Sequence, residues 1–301
     1  QRVVNWWCSS DDLVAKDSSI ALVEAESPSQ IRDEFEFSGL SVVCTNPQTD
    51  SYADYRCDFE LWEVDSGFMM YIGCNVTYSK FFDDGTLRTF LTYGIDRQTL
   101  VDDNYGGLAL PTTLPISPMS PYYSKSLAAN YDYDEMRFID AASKFRVPTN
   151  DKGVPRTLQL LVNSDDSARL RCARNIAATL TELGLACETV ESPTSVYEAR
   201  LQAANYDIYL GITKLPTTAD LSEFYRPWGE MSWGGLANET IYNMVNQSLA
   251  DRGNYYNLHK LVADDGRIIP VMAGYYAIYA KRGVLSDLNP ARDNVFYYTL
   301  G

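Results

Sequence analysis

The sequence is poor in the residues and motifs on which most enzyme sites depend. Its 301 residues include a single histidine, His259, so a Ser-His-Asp or Cys-His site would have to use that residue. The six cysteines contain no CxxC pair, and with one histidine they cannot complete a common zinc set. The GxSxG, GxGxxG and P-loop motifs are also missing. These absences argue against the best-known hydrolase, dinucleotide-binding, NTP-binding and zinc-binding classes.

The chain also lacks an excess of positive charge and any long apolar run. Lysine and arginine number 25 against 40 aspartates and glutamates, which gives a net charge of −15. Such a surface repels phosphate backbones and anionic lipids. We therefore expect no nucleic-acid partner, and contact with a membrane only through an anchor outside this chain. The apolar runs are too short for a membrane-spanning helix, and an apolar content of 46% suits a folded domain.

The cysteines, at positions 8, 44, 57, 74, 172 and 187, fit no small disulfide scaffold. A bond between Cys44 and Cys57 would close a polar loop. Cys172 lies on a predicted helix that precedes the strand carrying Cys187, so this second pairing is also open. We favour the simpler interpretation that all six are small, buried, apolar side chains.

The most informative part of the sequence is a strand, a turn and a helix in immediate succession, in residues 71–104. The run GFMMYIGCN is apolar enough for a buried strand. Asp83-Asp84-Gly85 then breaks the chain, and apolar residues from Leu87 to Ile95 follow at helical spacing.

Strand and helix patterns alternate downstream of this unit. We predict strands at 20–24, 40–44, 157–163, 185–190 and 207–211, a strand pair within 268–280, and helices at 28–37, 169–183, 197–204 and 254–264. Gly184 is placed to supply a left-handed helix C-cap. Because helices with short connections join parallel strands, the pattern predicts an α/β fold with a largely parallel sheet.

The sequence motifs of these segments resemble those of one family, the peptide/nickel-type solute-binding proteins of ABC importers. The resemblance is carried by Tyr71-Ile72-Gly73-Cys74-Asn75, then Phe82-Asp83-Asp84, then Gly94-Ile95-Asp96-Arg97, in the family's order. It continues in the proline-punctuated loop at 107–123, the tyrosine-aspartate repeat at 131–134, and segments 156–190, 197–210 and 268–271. Each motif alone is weak, but their order and spacing are specific and cover nearly the whole chain.

The resemblance implies a periplasmic-binding-protein-like α/β fold, with two lobes joined by hinge strands. Residues 1–70 would be a remnant of lobe one, residues 71–275 the α/β lobe two, and residues 276–301 a tail that returns to lobe one. Asn5-Trp6-Trp7 resembles a motif that lies in mid-protein in the family. Since only 70 residues precede the Tyr71 motif, we expect this chain to be the C-terminal part of a larger protein, with the N-terminal part of lobe one absent.

The predicted ligand site follows the strand at 207–211, because ligands of open α/β sheets bind beyond the carboxyl ends of strands. The candidate ligand-binding residues there are Thr213, Lys214, Asp220, Arg226, Trp228 and Trp233. Asn75, at the end of its strand, is a further candidate that would face the hinge or cleft. Two of these residues have a structural alternative: Asp220 could cap a helix at 221–225, and Asn75 could cap the turn that follows it.

The resemblance implies an extracytoplasmic solute-binding component of an ABC importer. Such a protein binds oligopeptides in an interlobe cleft and delivers them to the permease subunits. Some members hold a peptide's ammonium group with a tryptophan and an aspartate early in the ligand segment, but Thr213 to Pro216 include neither. We expect a monomer without cofactor, metal site or catalytic residues, anchored in full-length form as a lipoprotein outside the cytoplasm. Two alternatives stay open: a peptide-sensing or interaction protein that works without a transporter, and, third, a hydrolase.

Overall fold

The computed structural model describes residues 2–4, 20–23, 27–37, 39–47, 55–284 and 292. The chain forms two compact units, Gln1–Ser66 with Tyr275–Gly301, and Gly67–Gly274. These divisions fall close to the predicted boundaries, and the assignment of the units to lobes one and two stays a prediction. The Asn5-Trp6-Trp7 motif, Cys8 and most of the tail from residue 285 lie outside the described residues.

Helices and strands alternate through most of the described chain. In order, the strands and helices are β1 (Arg2–Val4), β2 (Ile20–Leu22), α1 (Pro28–Phe37), β3 (Val42–Thr45), β4 (Phe59–Cys74), α2 (Thr86–Phe90), α3 (Arg97–Tyr105), β5 (Leu110–Pro111), α4 (Lys125–Ala128), α5 (Glu135–Lys144), β6 (Leu158–Asn163), α6 (Ser167–Glu182), β7 (Cys187–Ser192), α7 (Thr194–Gln202), β8 (Ile208–Lys214), α8 (Ser222–Tyr225), α9 (Glu239–Ala250), α10 (Tyr255–Asp265) and β9 (Ile268–Lys281).

The first unit contains α1 and short antiparallel strand pairs. The predicted helix at 28–37 is confirmed, and Ser27 caps it by accepting a hydrogen bond from the Gln30 amide at 3.2 Å. In β3, Val42 to Thr45 pair antiparallel with the last part of β9. The Phe35 ring is fully buried and lies 4.6 Å, centroid to centroid, from the ring of Tyr55. Aromatic packing therefore supplies the core of this unit.

The second unit is built on a sheet with the strand order β9-β4-β8-β6-β7, and β5 pairs with β9. Strand β6 is parallel to both β7 and β8, because α6 and α7 provide helical crossovers. Strand β4, however, is antiparallel to β8. The sheet is therefore mixed, and the prediction of a largely parallel sheet is wrong for the half that contains β4, β5 and β9.

Two strands are longer than the sequence pattern indicated. β9 is one continuous strand, Ile268–Lys281, and not the predicted pair. β4 likewise runs without interruption over Phe59–Cys74. The predicted left-handed C-cap of α6 is confirmed, since Gly184 has a φ of 99°.

Both faces of this sheet are buried, and their compositions differ. Side chains alternate along each strand, so neighbouring residues enter different clusters. The aliphatic face includes Met70, Ile72, Leu158, Leu160, Val162, Ile208 and Leu210, covered by α2, α3, α5 and α6. The tyrosine face includes Met69, Tyr71, Leu161 and Tyr209, covered by α4 and α7 to α10.

Glycines make room for the rings of the tyrosine face. A Cβ added to Gly73 would lie 2.2 Å from Tyr209 Cε1, and one added to Gly211 would lie 2.6 Å from Tyr71 Cζ. The Tyr209 hydroxyl donates a hydrogen bond to the Tyr71 hydroxyl at 3.3 Å. Burial raises the pKa of Tyr71, so both rings stay neutral.

The described cysteines are all free thiols, so neither of the two pairings is formed. Cys74, Cys172 and Cys187 are buried, as predicted, and burial raises the pKa of the Cys172 and Cys187 thiols to about 12. The same interpretation is wrong for Cys44, which is exposed on β3.

Candidate functional site

The predicted ligand site corresponds to residues 211–235, here called the 211–235 segment. It begins in β8, and the parallel strands β6, β7 and β8 have their carboxyl ends at the same edge of the sheet. The segment then folds over the tyrosine face, where Leu221, Phe224 and Tyr225 are buried. The rings of Phe224 and Tyr71 meet edge to face at 5.0 Å. The base of the segment is therefore fixed by the core, while its polar residues point away from it.

Thr213 and Lys214 form the end of β8. Thr213 Oγ1 donates to Met231 Sδ at 3.4 Å, which ties the start of the segment to its later part. Lys214 pairs with Phe68 in the ladder and its side chain is exposed. Both residues belong to the strand, whereas the predicted strand ended at residue 211 and left them in the segment beyond it. A ligand role for Thr213 and Lys214 stays a prediction.

Asp220 has a structural role next to the one that the sequence left open: it is not the N-cap of α8, but it bonds to the first residue of that helix. Its Oδ1 accepts hydrogen bonds from the Ser222 amide at 2.8 Å and from the Ser222 hydroxyl at 2.6 Å. These bonds satisfy donors of Ser222, the first residue of α8, from a position one residue before the N-cap, Leu221. A ligand role for Asp220 stays a prediction.

Arg226 is held by a carboxylate that sequence reasoning missed. Its Nε and Nη2 donate to the two carboxylate oxygens of Glu223 at 3.0 and 2.8 Å. The Glu223 carboxylate also accepts from the Glu230 amide at 2.9 Å. The two hydrogen bonds from Arg226 and the bond from the Glu230 amide lower the pKa of Glu223. The pairing with Glu223 in turn raises the pKa of Arg226. The spacing of three residues, from the predicted helix at 221–225 to the residue that follows it, was the available signal for this pair.

Trp228 and Trp233 lie in different environments. Trp228 is 96% exposed and has a φ of 60°. Trp233 is half-buried, packs against the tyrosine-face cluster and opens a short 3-10 turn with Gly234 and Gly235. That turn is fixed to the chain after β4, since the Thr77 amide donates to Gly234 O at 3.2 Å.

Asn75 lies at the opposite end of β8 from Thr213 and Lys214. Cys74, next to Asn75, pairs with Ile208, whereas Lys214 pairs with Phe68. The span from Ile208 to Lys214 corresponds to about 20 Å along the strand. The Asn75 side chain is buried and fully used, because its Nδ2 donates to Ala204 O and Tyr206 O, both at 2.8 Å, and its Oδ1 accepts from the Tyr78 amide at 3.1 Å. The turn-capping alternative is therefore realised, and ligand binding by Asn75 stays a prediction.

A separate cavity of about 490 Å³ was not expected from the sequence. It lies at the start of α5, where the Arg137 guanidinium stacks 3.8 Å from the centroid of the Tyr93 ring. Asp134 Oδ1 caps α5 by accepting from the Arg137 amide at 2.9 Å, and the Tyr131 hydroxyl donates to Asp264 at 2.5 Å. Arg137, Asp134, Tyr131 and Asp264 are thus engaged with neighbouring groups in or beside this cavity.

Two further observations concern the described residues only. No group of three or more histidine, cysteine, aspartate or glutamate side chains among them is placed to hold a metal ion. No helix in the described part of the chain is long and apolar enough to cross a bilayer.

The fold is shared with solved structures of solute-binding proteins. A putative peptide binding protein AppA from Clostridium difficile matches with a TM-score of 0.74 at 15% identity, over 93% of this chain and 60% of that one. The oligopeptide-binding protein AppA from Bacillus subtilis, solved with a nonapeptide, has a TM-score of 0.65 at 16% identity, over 89% and 57%. NikA from Brucella suis, solved with Fe(III)-EDTA, has a TM-score of 0.65 at 15% identity, over 86% and 57%.

These matches define the class as a periplasmic-binding-protein-like α/β fold, as predicted. The chain spans 57% to 60% of the length of these three structures. Residues 20–235 match the family described as bacterial extracellular solute-binding proteins, family 5, middle part. This is well over half of the sequence, and the chain belongs to that family. No curated protein matches the chain. The family and the two AppA proteins among these neighbours are described as binding proteins.

Proposed function

We propose that this chain is the ligand-binding part of an extracytoplasmic solute-binding component of an ABC importer, and that its ligand is an oligopeptide. In the complete protein the ligand would lie in an interlobe cleft, with the 211–235 segment as part of one wall. The observation that carries the proposal is the family match over residues 20–235, together with an aromatic and polar segment that starts at the carboxyl end of β8.

Peptide is favoured over a metal complex, although solved relatives of this fold hold both kinds of ligand. The only histidine of the sequence, His259, is fully buried in α10 and cannot reach a solvent-exposed ligand. The 211–235 segment instead offers Trp228, Trp233 and the cationic Lys214. Aromatic surfaces and backbone groups are the usual means of binding peptides of varied sequence.

The remaining parts of the proposal rest on the family. The chain would pass its peptide to membrane permease subunits, work outside the cytoplasm as a monomer and, in full-length form, be tethered as a lipoprotein. It would bind without chemical turnover and without a cofactor.

The proposal is tested by thermal unfolding with and without ligand pools. The 301-residue chain, and any longer protein that contains it, are heated with random hexapeptides, with nickel plus histidine, and with maltooligosaccharides. A peptide at about 100 times its Kd adds about 2.7 kcal/mol of stability, so the unfolding temperature should rise and keep rising with peptide concentration. A rise with nickel and histidine alone, or no rise with peptides for either protein, would contradict the proposal.

A further inference from the structure

Trp228 combines exposure with an unfavourable backbone conformation. Its side chain is 96% exposed, the highest value among the large apolar residues that the structure describes. Its φ of 60° lies in the left-handed region, where a side chain crowds the backbone. A tryptophan at this position therefore adds nothing to the packing of the unit and disfavours the local conformation. A glycine or an asparagine at this position would remove the exposed apolar ring and would suit the left-handed backbone.

The conformation of Trp228 is imposed by a β-turn. The Gly229 amide donates to Arg226 O at 3.2 Å, which makes Arg226-Pro227-Trp228-Gly229 a hydrogen-bonded four-residue turn. Proline at the second position and positive φ at the third are the features of a type II turn, whose third position normally holds glycine or asparagine. Trp228 occupies that third position.

The turn is anchored on both sides to Glu223. The Glu223 carboxylate holds Arg226, the first residue of the turn, and the amide of Glu230, which follows the turn. The Glu223 carbonyl accepts from the Met231 amide at 3.1 Å. Gly229 passes so close that an added Cβ would lie 2.2 Å from Glu223 O. Glu223 itself belongs to α8, whose Phe224 and Tyr225 are buried in the core. The indole is therefore presented to solvent from a rigid base.

We propose that Trp228 is a preorganised recognition residue that stacks on an aromatic side chain of the bound peptide. This inference rests on the proposed function and names the part of the ligand that the 211–235 segment selects. Arg226 is neutralised by Glu223, so among the four residues of the turn Trp228 offers an apolar, polarisable ring and none offers an unpaired charge; the exposed Glu230 follows the turn. A rigid turn also reduces the ordering entropy that a mobile tryptophan would lose on binding.

The test uses the substitutions Trp228→Asn and Trp228→Gly, both of which suit the left-handed backbone. Affinity is measured by titration calorimetry against two hexapeptide pools, one with phenylalanine or tyrosine at each position in turn and one without aromatic residues. The wild-type protein should bind the aromatic pool more tightly, and both variants should lose about tenfold in affinity for that pool alone. Without ligand, their unfolding temperatures should equal or exceed that of the wild type. Met136→Ala, which removes another exposed apolar side chain, from α5, should change neither quantity.

The outcomes separate this inference from the proposed function. If the wild-type protein binds neither pool, the proposed function fails, and this inference fails with it. If the wild-type protein binds peptides and the Trp228 variants bind both pools equally well, peptide binding stands and the stacking role is overturned. The role is also overturned if the ligand-free variants unfold at lower temperature, because Trp228 would then stabilise the fold, or if the variants lose binding to maltooligosaccharides and not to peptides.

Discussion

The two faces of the main sheet are equally buried, yet they are built differently. The aliphatic face is filled by side chains such as Ile72, Leu160 and Leu210, which have no polar atoms to satisfy. The tyrosine face carries the paired hydroxyls of Tyr71 and Tyr209 and needs glycines beside them. Because the 211–235 segment packs on the tyrosine face, that face both stabilises the fold and supports the candidate site. The aliphatic face has only the first of these roles.

Substitutions of Leu160 and Leu161 test most directly whether the two faces differ in function. These two leucines are adjacent in β6, both are fully buried, and they enter the aliphatic and the tyrosine clusters respectively. Leu160→Ala and Leu161→Ala should each reduce the free energy of unfolding by about 3 kcal/mol, measured by urea denaturation. Peptide affinity should fall only for Leu161→Ala, because only that cavity lies beneath the rings that support the 211–235 segment. Equal losses of affinity in the two variants would show that the faces do not differ in function.

A somewhat smaller effect should come from His259, on α10. Its ring is fully buried, neither nitrogen has a hydrogen-bond partner among the described residues, and burial lowers its pKa to about 4 from an ordinary value of 6.5. The folded state therefore keeps His259 neutral below pH 6.5, whereas the unfolded chain takes up a proton. Above pH 6.5 His259 is neutral in both states and the free energy of unfolding is unaffected by its titration. As the pH falls towards 4, protonation of His259 in the unfolded chain lowers the free energy of unfolding by about 2 to 3 kcal/mol.

The check is a comparison with His259→Leu, which removes the titrating group and keeps an apolar side chain. The free energy of unfolding by urea is measured at pH 7.0, 5.5 and 4.5 for both proteins. All other titrating groups are shared, so the wild-type protein should lose about 2 to 3 kcal/mol more than the variant over this interval. Parallel pH dependence in the two proteins would show that His259 is protonated in the folded state.

Local features of the fold were predictable from sequence, whereas pairings between distant segments were not. The bounds of α1, the left-handed Gly184 and the parallel order of β6, β7 and β8 follow from caps, spacing and helical crossovers. The antiparallel pairing of β4 with β8 joins residues about 140 positions apart, and neither strand carries a local mark of its partner. For this reason the sheet was expected to be more parallel than it is.

The candidate site shows the same division. The direction of β8 was predictable, because a helical crossover makes it parallel to β6, but its length was not, since the strand continues through Thr213 and Lys214. The bonds from Asn75 to the backbone of Ala204 and Tyr206 were not predictable, since they depend on how residue 75 meets residues 204–206 in space. The turn that presents Trp228 had only part of a local signal. Pro227 marks the second position of a turn, but glycine at the fourth position favours type I, and nothing local predicts the positive φ of Trp228.

Hydrogen exchange with and without a bound peptide pool tests the central claim most directly, namely that peptides bind on the 211–235 segment. The account predicts slower exchange on binding in residues 226–233, and unchanged exchange in α5 and α6 on the aliphatic face. Protection confined to α5, α6 or the cavity at Tyr93 and Arg137, with none in residues 226–233, would contradict it.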